Sequence, residues 1–107
     1  MLLEIKKVGD KVLREVSKPV EKIDKEIKIL VKNMNSTMMS SDGIGIAAPQ
    51  VNVSKRIILV RPGNKTYILI NPNIIFRSEE KTVDYEGCLS VPGKSIKIER
   101  SKKIIVE

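Results

Sequence analysis

Gly43-Ile44-Gly45-Ile46-Ala47-Ala48-Pro49-Gln50 lies between a segment with helical periodicity and a series of short β-rich runs, and it carries almost no side-chain bulk. Glycine lacks Cβ and tolerates positive φ, so the stretch is predicted to turn sharply and to let a ligand or a neighbouring strand approach its backbone closely. Gln50 closes it with a single amide side chain. Taken alone, the pattern also fits a tight connection packed against a neighbour. It does not fit a dinucleotide fingerprint. No third glycine follows, Pro49 would interrupt the helix that cradles a pyrophosphate, and the preceding segment is helical rather than a strand.

Upstream, Ile23, Ile27, Leu30, Val31, Met34 and Met38 recur at spacings of three and four, which places them on one helical face. Asp24 is the expected N-cap, and Ser40, Ser41, Asp42 and Gly43 are expected to end the helix. Met34 and Met38 read as core filler, because an unbranched thioether fits irregular gaps. Residues 1 to 20 mix short apolar pairs with Gly9, Asp10 and Pro19, so an extended arm is predicted, with Asp10 capping one turn through Val12, Leu13 and Val16.

Downstream, strands are predicted at 57–60, 67–70, 74–76, 82–85, 95–99 and 103–106. Pro62-Gly63-Asn64 reads as a hairpin connection, Asn71-Pro72-Asn73 as a turn and Pro92-Gly93 as a break. Ile96-Lys97-Ile98 alternates as a half-buried strand does, whereas Ile104-Ile105-Val106 is continuous and asks for burial on both sides.

The 107 residues suit one small domain, and no repeat, low-complexity tract or linker divides them. Hydrophobic residues make up 41%, charged residues 31% and aromatic residues 3%, which points to a globular chain with an aliphatic core and away from disorder. Twenty Lys and Arg against thirteen acids leave a net charge of +7. That balance suits polyanions such as ribosomal RNA, but the basic residues are spread along the chain without an aromatic stacking platform, so a lysine-rich surface is the preferred reading and no DNA partner is expected. One cysteine excludes an internal disulfide and points to a reducing cytoplasm. The opening Met1-Leu2-Leu3-Glu4-Ile5-Lys6 has charges where a signal peptide needs an apolar core, and no run is long enough to span a membrane.

That cysteine stands in the second special stretch, Glu86-Gly87-Cys88-Leu89-Ser90. Alone, a single cysteine usually reads as an inert buried residue. Together with Gly43–Gln50 it resembles the peptide deformylase family, whose G-x-G-[LI]-A-A-x-Q and E-G-C-[LV]-S motifs are matched at every fixed position. Gly9-Asp10-Lys11-Val12-Leu13-Arg14 and Pro19-Val20 also resemble that family's opening, so the likeness runs along the whole chain.

The resemblance implies a metal-dependent amide hydrolase that removes the N-formyl group from the first methionine of new polypeptides. It implies that Cys88 is a ligand of a divalent metal, iron or zinc, and that the backbone N–H of Leu89 and the side-chain amide of Gln50 are catalytic, meeting the developing oxyanion. Neutral amides suit that task because they donate without adding a charge that competes with the metal. Ile44, Gly45 and Gly87 are implied to bind the extended N-formylmethionyl peptide through their backbones. Glu86 reads as a structural acid, ion-paired inside the fold.

The family's third motif, H-E-x-x-H on a late helix, has no counterpart, and the 107 residues contain no histidine. A thiolate nucleophile would also want a histidine partner, so cysteine hydrolase chemistry is no substitute. The expectation is therefore an α+β, partial deformylase-like domain over residues 1–107, its helix packed on antiparallel sheets, stopping before the catalytic helix and inactive as it stands. The alternatives are a metal-free remnant that binds peptides or the ribosome, and a fragment of an active deformylase.

Overall fold

Helix α1 (Lys25–Ser40) forms where the periodicity places it, in a computed structural model that describes residues 1–107. The Asp24 carboxylate accepts the Ile27 N–H at 3.0 Å, satisfying a donor that the first turn leaves free. At the other end the Gly43 N–H donates to the Met38 carbonyl at 2.9 Å and the Asp42 N–H to that of Met39 at 3.3 Å. This is a Schellman closure, and its left-handed residue is Asp42, at φ 55, rather than a glycine. Gly43 and Gly45 both lie outside the positive-φ region, so the sharp turn expected of them falls one residue earlier.

Three strands follow as one antiparallel sheet in the order β1 (Gly45–Ala47), β2 (Ile57–Val60) and β3 (Tyr67–Ile70). Opposed residues share a face, and the register pairs Ile46 with Leu59, Leu59 with Ile68 and Ile57 with Ile70. That face meets α1, so Ile27, Met34, Met38, Ile46, Ile57 and Leu59 fall in one buried cluster, with Leu30, Val31 and Ile70 packed at its edge. Both helix methionines are fully buried, as expected of core filler. Ile23 precedes the helix and stays 56% exposed.

The other strands form two-stranded ribbons. β4 (Ile74–Arg77) pairs with β7 (Ile104–Val106), and β5 (Lys81–Cys88) pairs with β6 (Val91–Ser101), all antiparallel. The break expected at Pro92-Gly93 is absent. The chain turns earlier, at Leu89-Ser90, and Pro92 and Gly93 lie inside β6, where Gly93 at φ 76 takes up a register shift opposite Gly87. Burial of Ile104, Ile105 and Val106 is also not met: all three are exposed, because within residues 1–107 only β4 lies against them.

The N-terminal arm runs across these units through its backbone. Leu3 N–H donates to the Thr37 hydroxyl at 2.8 Å, Lys6 N–H to the Gln50 carbonyl at 2.6 Å and Val8 N–H to the Ser90 carbonyl at 2.8 Å. Asp10 caps the predicted turn, a 3-10 turn at Lys11–Arg14, which closes before Val16 and leaves that side chain in solvent. Farther on, Asn71 takes the Val20 N–H and returns an N–H to the Val20 carbonyl, each at 2.8 Å, and so ties the arm to the end of β3.

Candidate functional site

The first motif is built from two short elements. Gly45, Ile46 and Ala47 are strand β1, an edge strand with β2 on one side only. Ala48–Val51 is a 3-10 turn, and its residue Gln50 reaches back so that Oε1 accepts the Ala47 N–H at 2.9 Å. Pro49 fits there because an N–H in the first turn has no partner to lose. With Oε1 committed to Ala47, the other end of the amide points across the molecule. Nε2 donates to the Ser90 hydroxyl at 3.1 Å and lies 3.6 Å from Cys88 Sγ.

Ile44 turns its carbonyl inward, to the Arg61 N–H at 2.8 Å, and leaves its side chain 78% exposed. Successive residues of a strand present their backbone groups to opposite edges, so the groups of Gly45 face the open edge of β1.

The second motif forms the tip of the β5–β6 hairpin. Cys88 pairs with Val91 across the turn, and its thiol is exposed. Gly87 lies opposite the shifted part of β6, where a Cβ would meet only the Lys94 carbonyl at 3.6 Å, an ordinary contact. The close approach predicted at the glycines is real at one position. A Cβ on Gly43 would lie 2.8 Å from Leu89 Cδ1, so the Leu89 side chain occupies the space that a side chain at 43 would need. At Gly45 the nearest atom, the Leu59 carbonyl oxygen, is at 3.6 Å, and glycine is not required there for space.

Glu86 is ion-paired as expected, though at the surface and not inside the fold. Arg100 grips it with two bonds, Nε to Oε2 at 2.6 Å and Nη2 to Oε1 at 2.7 Å, with both side chains substantially in solvent. That hydrogen bonding, helped by the guanidinium charge, holds the Glu86 carboxyl below its ordinary value and raises Arg100.

The two motifs line one groove of about 1050 Å³, with Ile44, Gly45 and Gln50 on one wall and Gly87, Cys88 and Leu89 on the other. All six residues singled out in the sequence are thus brought together. A smaller apolar groove of about 430 Å³, between α1 and β3, contains none of them.

Three features of this site were not singled out from the residues: the Ser90 hydroxyl, Arg100 as the partner of Glu86, and the arm's two backbone bonds. Ser90 lies within the second motif. The arm's bonds involve main-chain N–H groups, which leave no side-chain signature.

A metal site is not assembled from these residues alone. Cys88 is the only thiol, histidine is absent, and no group of three His, Cys, Asp or Glu side chains lies close enough to hold an ion. The Gln50 Nε2 that lies 3.6 Å from the sulfur is an N–H donor and cannot ligate. An open catalytic site normally takes three protein ligands, so this donor set does not fit one.

Residues 2–107 match the family described as polypeptide deformylase. The peptide deformylase of Dictyoglomus thermophilum is 49% identical over 105 residues, covering 98% of this chain and 68% of that protein. The crystal structure of peptide deformylase from Thermotoga maritima superposes with a TM-score of 0.97 at 43% identity, covering 99% of this chain and 72% of that one. The Met-Ala-Ser-bound class I type b peptide deformylase of Acinetobacter baumannii does so with a TM-score of 0.93 at 34% identity, over 99% and 75%. With both motifs intact, the fold matched along almost its whole length and close relatives bearing one name, the chain belongs to the polypeptide deformylase family.

Proposed function

We propose that residues 1–107 are the substrate-reading part of a cytoplasmic peptide deformylase, taking an extended N-formylmethionyl peptide and supplying the donors that stabilise negative charge on its formyl oxygen. The observation that carries this is the convergence of Gln50 Nε2 on Cys88 Sγ, 3.6 Å apart, on the wall of a groove built by both motifs.

The peptide lies along the open edge of β1 as an added strand. Gly45 bonds its backbone from one side and Gly87 from the other, while Ile44 adds apolar surface at the rim. When a nucleophile adds to the formyl carbon, its oxygen becomes an oxyanion. The Leu89 N–H and the Gln50 amide are the neutral donors aimed at it. A Met-Ala-Ser ligand in the A. baumannii structure supports the substrate class.

Cys88 is the one residue here suited to bind the divalent metal that the family uses. Because the other ligands are not among residues 1–107, these residues alone are expected to bind peptide without hydrolysing it. Ferrous iron, nickel or zinc added to the purified chain should give neither stoichiometric metal nor release of formate. Turnover abolished by Cys88→Ala would contradict this.

Calorimetric titration tests the peptide reading. Formyl-Met-Ala-Ser should bind more tightly than Met-Ala-Ser by about threefold to tenfold, the worth of roughly one hydrogen bond. Gln50→Ala should narrow the difference, leaving the Leu89 N–H as the remaining donor. Equal affinity for the two peptides in the unmodified chain would overturn the reading.

A further inference from the structure

Ser90 is the one buried residue after position 59, at 4% exposure. It lies where three segments meet. Its hydroxyl accepts the Gln50 Nε2 at 3.1 Å, its carbonyl accepts the Val8 N–H at 2.8 Å, and it directly follows Cys88 and Leu89.

The geometry points to Ser90 as a positioning residue that sets the orientation of the Gln50 amide; its relevance to the formyl group rests on the function proposed above. A glutamine side chain has several rotatable bonds, and holding its amide in one plane requires a partner at each end. Ala47 N–H secures Oε1 at 2.9 Å. The Ser90 hydroxyl takes one of the two Nε2 protons, which leaves the other directed toward Cys88 and the groove. Without Ser90, the amide is pinned at Oε1 and is left with only the long 3.6 Å contact to the Cys88 sulfur at its other end. Val8 holds the Ser90 backbone against the arm, which fixes the point from which the hydroxyl reaches Gln50.

The test uses the full chain labelled with nitrogen-15. In the unmodified protein, the Gln50 side-chain amide should give two well-separated proton resonances, one showing a nuclear Overhauser contact to the Ser90 β-protons. Absence of that contact overturns the assignment without any mutant. Ser90→Ala should merge or shift the pair and lower the preference for formyl-Met-Ala-Ser over Met-Ala-Ser by about twofold to threefold, while leaving Met-Ala-Ser affinity unchanged. Ser90→Thr, which keeps the hydroxyl, should restore both. A Gln50 amide spectrum unaffected by Ser90→Ala, or equal losses in the Ala and Thr variants, would overturn the proposal. If the unmodified chain shows no preference for the formylated peptide, the proposed function fails, and the Gln50 resonances still decide the role of Ser90.

Discussion

The chain up to the end of β3 at Ile70 and the chain after it are built differently. Every buried hydrophobic side chain lies in the first part, where α1 covers one face of the β1–β2–β3 sheet; beyond it, Ser90 alone is buried, and Ile75, Phe76, Val83, Tyr85 and Ile105 stand in solvent. Gln50 and Gly45 thus ride on a packed body, whereas Cys88 and Leu89 ride on a hairpin tip. The difference shows how a site can be shared between a rigid wall and a poorly supported one. The second wall is placed by a few specific links, namely the Gln50–Ser90 bond, the arm's Val8–Ser90 bond and Leu89 seated in the space above Gly43.

Truncating a side chain on each side of that division should give the largest contrast. Leu59 is fully buried, so Leu59→Ala should cost about 2–5 kcal/mol in chemical denaturation, from lost transfer energy and the cavity left behind. Ile105 is 53% exposed, so Ile105→Ala should change stability by no more than about 0.5 kcal/mol and should reduce self-association in sedimentation, since the ribbon displays contiguous apolar surface. Equal losses at the two sites would show that the ribbon is packed as well as the sheet.

A smaller effect is expected where the two parts touch. Gly43→Ala places a methyl group 2.8 Å from Leu89 Cδ1, but that atom ends a flexible side chain and yields by rotation. The cost should be near the low end of overpacking, about 1 kcal/mol, and Leu89→Ala should relieve it in a double-mutant cycle. A Gly43→Ala penalty that persists with Leu89→Ala would place the strain elsewhere.

The Glu86–Arg100 pair should contribute least. Its Glu86 carboxyl is lowered when folded, so any stabilisation is fully present above the ordinary carboxylate value and is lost as pH falls through the depressed one. Both side chains are exposed and screened, so Arg100→Gln should shift the denaturation midpoint slightly at neutral pH, and not at all in molar salt or in acid below that range. A shift that survives both conditions would mean that Arg100 acts through packing instead of charge.

Much of the packed part was legible in the residues. The three- and four-residue spacing of Ile27, Leu30, Val31, Met34 and Met38 located α1, Asp24 located its start, and Gly63 and Asn64 located the hairpin turn before β3. Local chemistry sets those features, so local sequence reveals them. The later part resists such reading because its turns compete with register. Pro92-Gly93 has the composition of a break, yet the hairpin closes at Leu89-Ser90 and absorbs the glycine as a shift inside β6. Ile104–Val106 announces burial, but what lies against a strand is a tertiary fact. In the candidate site, the motif residues were singled out by resemblance, and one groove brings them together. The bond that joins Gln50 to Ser90 spans 40 positions and depends on how an arm, a turn and a hairpin come together.

The proposed function requires the packed wall and the hairpin wall to act on one ligand. Amide hydrogen exchange, followed residue by residue as formyl-Met-Ala-Ser is added, tests this most directly. Protection should rise at Gly45 on β1 and at Gly87 and Leu89 on the hairpin with one shared concentration dependence, accompanied by a shift of the Gln50 side-chain amide. Protection confined to one wall, or appearing at the two walls with different midpoints, would contradict it.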